Sequence, residues 1–308
     1  MSVSKVVGRI TAPTRAYEIH VEATGLNILS IQSSVAYGHV GNSAAVFPLQ
    51  RMGFEVWPVN TVHFSNHTGY GQWRGRILPA EDVADIIRGI EDRGVLAGCD
   101  GVLSGYMGDA SLGEVIVGAA GRVKELNPKA IYCCDPVMGN AGRGFFVKPG
   151  IPRFIKEVAV PAADVVTPNQ FELEFLTGVE VRDLDDALEA ADKARRLGPE
   201  TVLTTSLRRT DAAAETIEML AVSKEGAWLV QTPMLALEVN GAGDATAALF
   251  LASLLRGAAL AEALSKTASA IYAVLEETHR TGSREMSLVC AQESIVEPPR
   301  WFEARQIR

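Results

Sequence analysis

The sequence predicts an α/β fold: a doubly wound, mainly parallel sheet with helices on both faces. Three observations predict it. Short apolar runs of strand length alternate with longer runs of helical period over most of the 308 residues, the pattern of parallel strands joined by crossover helices. The predicted strands end on polar residues, namely Ser33, Ser104 with Tyr106, Asp135, Thr167 and Thr205. In such sheets the carboxyl ends of the strands form the ligand-binding rim. Finally, Gly241-Ala242-Gly243-Asp244 leads straight into the apolar run Ala245 to Leu255, which reads as a tight turn feeding a buried helix.

Composition bounds the rest. Hydrophobic residues make up 47% and charged residues 21% of the chain, enough to bury a full core, and the net charge is −8. That charge argues against general affinity for nucleic acid or anionic membranes. No apolar run approaches the ~20 residues that span a bilayer. Residues 1–26 carry Lys5, Arg9, Arg15, Glu18 and Glu22 without an apolar segment, unlike a secretory signal. The expectation is a cytoplasmic protein, with residues 1–26 a loose extension or an added edge strand and residues 27–308 one domain. The cysteines Cys99, Cys133, Cys134 and Cys290 have no metal-ligand spacing and read as buried free thiols.

Taken in order, Asn27 to Ser34 is a strand and Ser43 to Met52 a helix stopped by Gly53. Glu55 to Val59 is a strand, expected to break near Pro58. Asn60 to Gly75 is a long polar loop holding His63, Asn66, His67, Thr68, Tyr70 and Trp73, too polar for core and too aromatic for a plain linker. Ala80 to Arg93 is an amphipathic helix with Val83, Ile86, Ile87 and Ile90 on one face. Gly101 to Gly105 is a strand, Ala110 to Leu126 a helix and Ala130 to Asp135 a strand, followed by a Gly-rich loop from Met138 to Gly144. A strand at Asp164 to Thr167 precedes a helix from Asn169 to Thr177. Leu184 to Leu197 is a helix and Thr201 to Thr205 a strand. Ile217 to Val222 and Ala227 to Gln231 flank a turn at Lys224-Glu225-Gly226 as a hairpin. Helices at Ala242 to Leu255 and Leu260 to Glu277 close the fold.

The chemistry centres on Gly241 to Asp244. Glycines allow backbone angles that a side chain forbids. The first turn of the following helix aims unpaired N–H groups and the positive end of its dipole at one spot, which suits phosphate. A carboxylate there would repel phosphate unless it handles a hydroxyl proton, so Asp244 reads as the base of a kinase; helix capping is the plain alternative. Phosphoryl transfer also calls for Mg2+ held by carboxylates and nucleotide phosphates, and Asp135 and Glu172 are the candidates. Glu172 can instead complement a helix dipole, and Asp135 can be an ordinary strand-end turn residue. Arg143 in the Gly-rich loop can supply charge to phosphates, or sit on a plain surface turn. His39, His63 and His67 lack a zinc spacing on a helix. Trp57 and the neighbours Cys133 and Cys134 read as core, and Tyr106 as a ligand contact.

Read together, Ile31-Gln32-Ser33, Gly41-Asn42-Ser43-Ala44-Ala45, Phe64-Ser65-Asn66-His67-Thr68-Gly69-Tyr70, Ser104-Gly105-Tyr106, Cys134-Asp135-Pro136-Val137-Met138-Gly139, Thr167-Pro168-Asn169-Gln170-Phe171-Glu172 and Gly241-Ala242-Gly243-Asp244 closely resemble the pyridoxal kinases of the ribokinase-like fold. The likeness runs from about Asn27 to the C-terminus. It implies ATP-dependent phosphorylation of the 5′-hydroxyl of pyridoxal in vitamin B6 salvage, with pyridoxine and pyridoxamine as further candidates. By position it implies that Ser33, Thr68 and Tyr106 contact the substrate ring. Asp244 would deprotonate the hydroxyl, and the amides of Gly241, Ala242 and Gly243 would stabilise the phosphoryl group in transfer. Asp135, Thr167 and Glu172 would hold metal and ATP phosphates. Thr204 and Thr205 would lie near the nucleotide, and Thr232, Pro233, Met234 and Leu235 would border the adenine. It further implies Mg2+, a monovalent cation such as K+, and a homodimer.

The chain departs from the family at Ala242, where threonine or valine is frequent, at Thr205, where some relatives carry lysine, and at Asn140, where others carry aspartate. The lid loop is short. Two other readings stay open: a kinase for another small alcohol, such as hydroxymethylpyrimidine or a sugar, and a non-catalytic pyridoxal-binding protein.

Overall fold

The computed structural model describes residues 25–308; the expected extension falls almost wholly outside the described residues. Among them, one ten-stranded sheet runs through the molecule. Its strands are β1 (Asn27–Val35), β2 (Glu55–Phe64), β3 (Gly75–Ile77), β4 (Cys99–Ser104) and β5 (Ile131–Cys134). A separate hairpin follows, β6 (Gly139–Asn140) and β7 (Gly144–Phe145). The sheet continues with β8 (Val165–Val166), β9 (Thr201–Leu207), β10 (Thr216–Ser223), β11 (Gly226–Pro233) and β12 (Arg305–Gln306). In space the order is β12-β11-β10-β9-β8-β5-β4-β1-β2-β3. The block from β2 to β9 is parallel. The strands at either side, β3 and β10 to β12, are antiparallel.

Side chains of successive strand residues point to opposite faces, and the core divides accordingly. Leu29, Val102, Cys134, Val166 and Val202 face one layer. Their neighbours Ile28, Leu103, Cys133, Val165 and Leu203 face the other. The first layer is covered by α2 (Ala80–Glu91), α3 (Ala110–Leu126), α4 (Ile151–Phe154) and α5 (Val160–Ala162), together with α6 (Gln170–Thr177) and α7 (Leu184–Arg195). The second is covered by α1 (Asn42–Arg51), α8 (Ala242–Leu255), α9 (Leu260–Thr281) and α10 (Gln292–Val296). Helix α8 is buried continuously from Ala245 to Ser253. Its many alanines let it lie close under the sheet, where Leu251 and Leu255 fill the space beside Gly101.

Several sequence expectations need correction. Strand β2 does not break at Pro58 but continues to Phe64, taking in the first part of the expected loop. Pro58 pairs with Ser30 of β1, while β3 covers only Val62 to Phe64 on the other side. The missing N–H of Pro58 therefore falls on an open edge, where proline is tolerated. The Gly-rich loop folds as the β6–β7 hairpin. The helical run of residues 151–162 was not expected; it contains a π turn at Ile155–Ala159, with Pro152 and Pro161 in first-turn positions. Helices α8 and α9 do not close the fold, because α10 and β12 follow them. Cys99, Cys133 and Cys134 are buried, but Cys290 is exposed, and all four thiols are free.

Candidate active site

At the carboxyl ends of the parallel strands lies a cavity of about 770 Å³. It opens beside a second of about 590 Å³. The two share Arg143, Thr205, Ser206, Ala242 and Gly243 along their common wall, so they form a two-lobed cleft.

The N-terminus of α8 occupies the junction. Gly241 holds φ at 88° with no side-chain cap on the helix. A Cβ there would sit 1.8 Å from the carbonyl oxygen of His39, so glycine is required both for the angle and for the close approach. The amides of Ala242 and Gly243, in the first helical turn, have no intrahelical acceptor, and both residues line both lobes. Asp244 lines the first lobe. Burial pushes its pKa up to about 6, against the pull of hydrogen bonds from the Gly41 amide and its own amide.

Asp135 follows the tip of β5 and accepts a hydrogen bond from Thr167 Oγ1 at 3.1 Å. Burial drives its pKa well above the usual carboxylate range; the charges of Glu172 and Asp244 add to the rise and the Thr167 bond opposes it. Glu172 is 3% exposed and does structural duty. Its Oε1 accepts from the amides of Met138 at 2.9 Å and Gly139 at 3.3 Å, and its Oε2 accepts from the Asn169 amide at 2.9 Å. The Asn169 side chain reciprocates to the Glu172 amide and donates to the Gly139 carbonyl at 2.8 Å. Glu172 thus caps α6 and anchors the base of the β6–β7 hairpin. Burial, offset by these three amides, leaves its pKa at about 7.

Asp135, Glu172 and Asp244 are mutually repelling carboxylates, and no lysine or arginine is among the groups that set their pKa values. Such a cluster suits a divalent cation. Among the described residues no group of three or more His, Cys, Asp or Glu side chains converges as a complete metal cage. A hard cation held by one or two carboxylates, with phosphates and water completing its shell, fits that donor set.

The sequence-selected residues distribute unevenly. Ser33, Thr68, Tyr106, Asp135, Thr167, Glu172 and Gly241 to Asp244 all line the first lobe. Thr232, Pro233, Met234 and Leu235 line the second, and Thr205 lines both. Thr204 is a correction. It is fully buried, lines neither lobe, and its hydroxyl has no protein hydrogen-bond partner. On a strand, neighbours face opposite ways, so Thr205 and Thr204 cannot both face the cleft. Ser104 is a second correction: it lines neither lobe and its hydroxyl pairs with that of Tyr132 at 3.0 Å inside the core.

Sequence reasoning also missed residues that the cleft gathers. Ala268, Ile271, Tyr272 and Leu275 of α9 wall the second lobe; their helical spacing is that of ordinary core. Ser206 lines both lobes with φ at 53°, in the left-handed region. It sits where the β9–β10 register shifts, and no residue type in the sequence signals it.

Comparison with known proteins gives a consistent picture. A family model described as phosphomethylpyrimidine kinase matches residues 91–288. A protein of Rubrobacter xylanophilus named pyridoxal kinase is 72% identical, over 92% of this chain and 98% of its own length. A pyridoxal kinase of Deinococcus radiodurans is 56% identical over 91% of this chain and 96% of its own. Among solved structures, the pyridoxal kinase of Leishmania donovani in complex with ADP and pyridoxine superposes with a TM-score of 0.86 at 30% identity, covering 92% of this chain and all of that one.

Proposed function

The chain belongs to the pyridoxal kinases, within the wider family described by the phosphomethylpyrimidine kinase model, and from that premise we propose how it transfers the γ-phosphoryl group of ATP to the 5′-hydroxyl of pyridoxal. It is a kinase, and its product, pyridoxal 5′-phosphate, places it in vitamin B6 salvage. Pyridoxine and pyridoxamine, which accompany ADP in structures of the Leishmania relative, are the further acceptors of this reading.

One observation carries the mechanism. Asp244 and the uncapped first turn of α8 face the lobe lined by Ser33, Thr68 and Tyr106, beside a lobe suited to a nucleotide. In this reading Asp244 accepts the hydroxyl proton as the 5′-oxygen forms its bond to the γ-phosphorus. The bond from that phosphorus to the bridging oxygen of ADP breaks, and ADP leaves. The amides of Gly241, Ala242 and Gly243 hold the charge that develops on the phosphoryl oxygens. Asp135 and Thr167, with Glu172 behind them, would hold Mg2+ and the phosphates. When bound, the metal supplies charge neutralisation between nucleotide and carboxylates. Thr205 stands where some relatives have lysine, which leaves Arg143 and Arg208 as the cations lining the first lobe. Thr232, Pro233, Met234 and Leu235 would border the adenine.

The same reading takes residues 27–308 as one kinase domain, working in the cytoplasm as a homodimer with Mg2+ and a monovalent cation such as K+. Among the described residues no helix is long and apolar enough to cross a membrane.

A coupled ADP-release assay tests the proposal, with pyridoxal, pyridoxine, pyridoxamine, hydroxymethylpyrimidine and several sugars as acceptors, with and without Mg2+ and K+. Turnover with pyridoxal is expected. Turnover only with the pyrimidine or a sugar would move the chain to another alcohol kinase. Pyridoxal binding without ADP release would make it a binder.

A further inference from the structure

Two of the loops that border the first lobe come from different parts of the chain, and a third segment holds both. Residues 37–41 follow β1 and include Gly41, whose amide lies close enough to the Asp244 carboxylate to pull its pKa down. Residues 67–71 follow β2 and carry His67 and Thr68 into the same lobe. After α9, the turn Ser283 to Met286 reaches across to them.

Glu285 is the meeting point. Its Oε2 accepts from the His39 amide at 3.0 Å, and its Oε1 accepts from the Tyr70 hydroxyl at 2.5 Å. Gly38 lies so close that a Cβ there would come within 2.3 Å of Oε2. The turn is braced from within, because Ser283 Oγ donates to the Glu285 carbonyl at 2.7 Å and accepts from its amide at 3.2 Å. The guanidinium of Arg284 lies 4.1 Å from the centre of the Tyr70 ring, and Tyr37 meets that ring edge-on. Beyond the carboxylate, the His39 carbonyl presses against Gly241, and the Met286 side chain packs at the same glycine. A single carboxylate therefore ties the loop that contacts the base to the loop that lines the substrate lobe.

We propose that Glu285 is a positioning residue, fixing the Gly41 amide beside Asp244 and the His67–Tyr70 turn beside the substrate through two simultaneous hydrogen bonds. This rests on the kinase reading above. Glu285 lines neither lobe, so it acts through His39 and Tyr70. Displacement of either loop by about 1 Å is the kind of error that costs on the order of 100-fold in rate.

The test is steady-state kinetics on the full chain, with melting temperatures recorded alongside. Glu285→Ala is expected to lower kcat by about 10- to 100-fold and to raise KM for pyridoxal several-fold, with KM for ATP within about twofold. Glu285→Gln keeps an accepting oxygen and should recover most of kcat. Tyr70→Phe removes one of the two bonds with little threat to folding, and should raise KM for pyridoxal while leaving that for ATP. An unchanged kcat and pyridoxal KM in Glu285→Ala would overturn the proposal. So would a loss that Glu285→Gln does not relieve, or one in which both KM values rise with falling melting temperature. Should Glu285→Ala not fold, an unmoved pyridoxal KM in Tyr70→Phe overturns it alone. A wild-type chain that releases no ADP with pyridoxal would instead sink the kinase reading itself.

Discussion

Asn169 and Glu172 cap one helix reciprocally. The Asn169 side chain accepts from the Glu172 amide at 3.1 Å, while Glu172 Oε2 accepts from the Asn169 amide at 2.9 Å. The same carboxylate holds the Met138 and Gly139 amides with its other oxygen. Start of helix and base of hairpin are therefore one unit.

Removing that unit should be costly. Glu172→Ala leaves buried amides without acceptors and deletes half of a capping box, which typically costs about 1–3 kcal/mol for each unsatisfied group and about 1 kcal/mol for the cap. Since the contributions overlap, the expected loss is about 3 kcal/mol in urea unfolding, with a raised KM for ATP. A KM change without loss of stability would assign Glu172 to metal alone.

Asp244→Asn should lower kcat by about 10²- to 10⁴-fold, the range expected for a general base. Binding of pyridoxal and ATP, measured by calorimetry, should persist. An unchanged kcat would remove the residue from the chemistry.

The pH dependence has a definite sign. Asp244 must be ionised to act, and its pKa in the ligand-free protein is raised to about 6, so kcat/KM should fall as pH drops through about 6. Stability of the ligand-free protein runs the other way. Glu172 has a folded pKa of about 7 against an ordinary 4.5. Its contribution is fully present below about 4.5 and is lost as pH rises through 7, and raised Asp135 acts in the same direction. The lowered pKa of His67, caused mainly by burial and then by Arg143, opposes this below 6.5. A fall of roughly a few degrees in melting temperature from pH 6.5 to 8 is expected, and added Mg2+ should reduce it. A melting temperature that rises over that interval would contradict the assignment.

Arg209 pairs with the buried Glu218 beside the second lobe, at 2.6 Å and 3.0 Å through two guanidinium nitrogens, and Glu218 is 1% exposed. Arg209→Leu strands a buried carboxylate, a change that usually costs about 3–5 kcal/mol. Glu218 also lines the second lobe, so the variant should lose ATP affinity as well as stability. Chemical denaturation and nucleotide titration check the two effects separately.

Much of the molecule was legible from local pattern. Helices α3 and α8 have the predicted bounds, Ala110–Leu126 and Ala242–Leu255, because Asp109 and the Gly241 turn mark their starts. Of the polar strand ends, Ser33, Tyr106, Asp135, Thr167 and Thr205 line the cleft beside the Gly241 to Asp244 turn, and Ser104 does not. Pro58 misled because its effect depends on whether a neighbouring strand needs its N–H, and only the sheet order supplies that. The pair Thr204 and Thr205 shows the same limit: the sequence offered two hydroxyls at one strand end, and strand alternation together with the register shift at Ser206 chose between them.

What the sequence determined by itself is the set of local conformations and the chemical groups, since periodicity, glycines and caps act between near neighbours. Tertiary structure decided which groups meet. His39 and Glu285 are 246 residues apart, and Tyr70 and Glu285 are 215 apart. Contacts of that span follow from the closure of the whole sheet and its two helical layers, which no local pattern encodes.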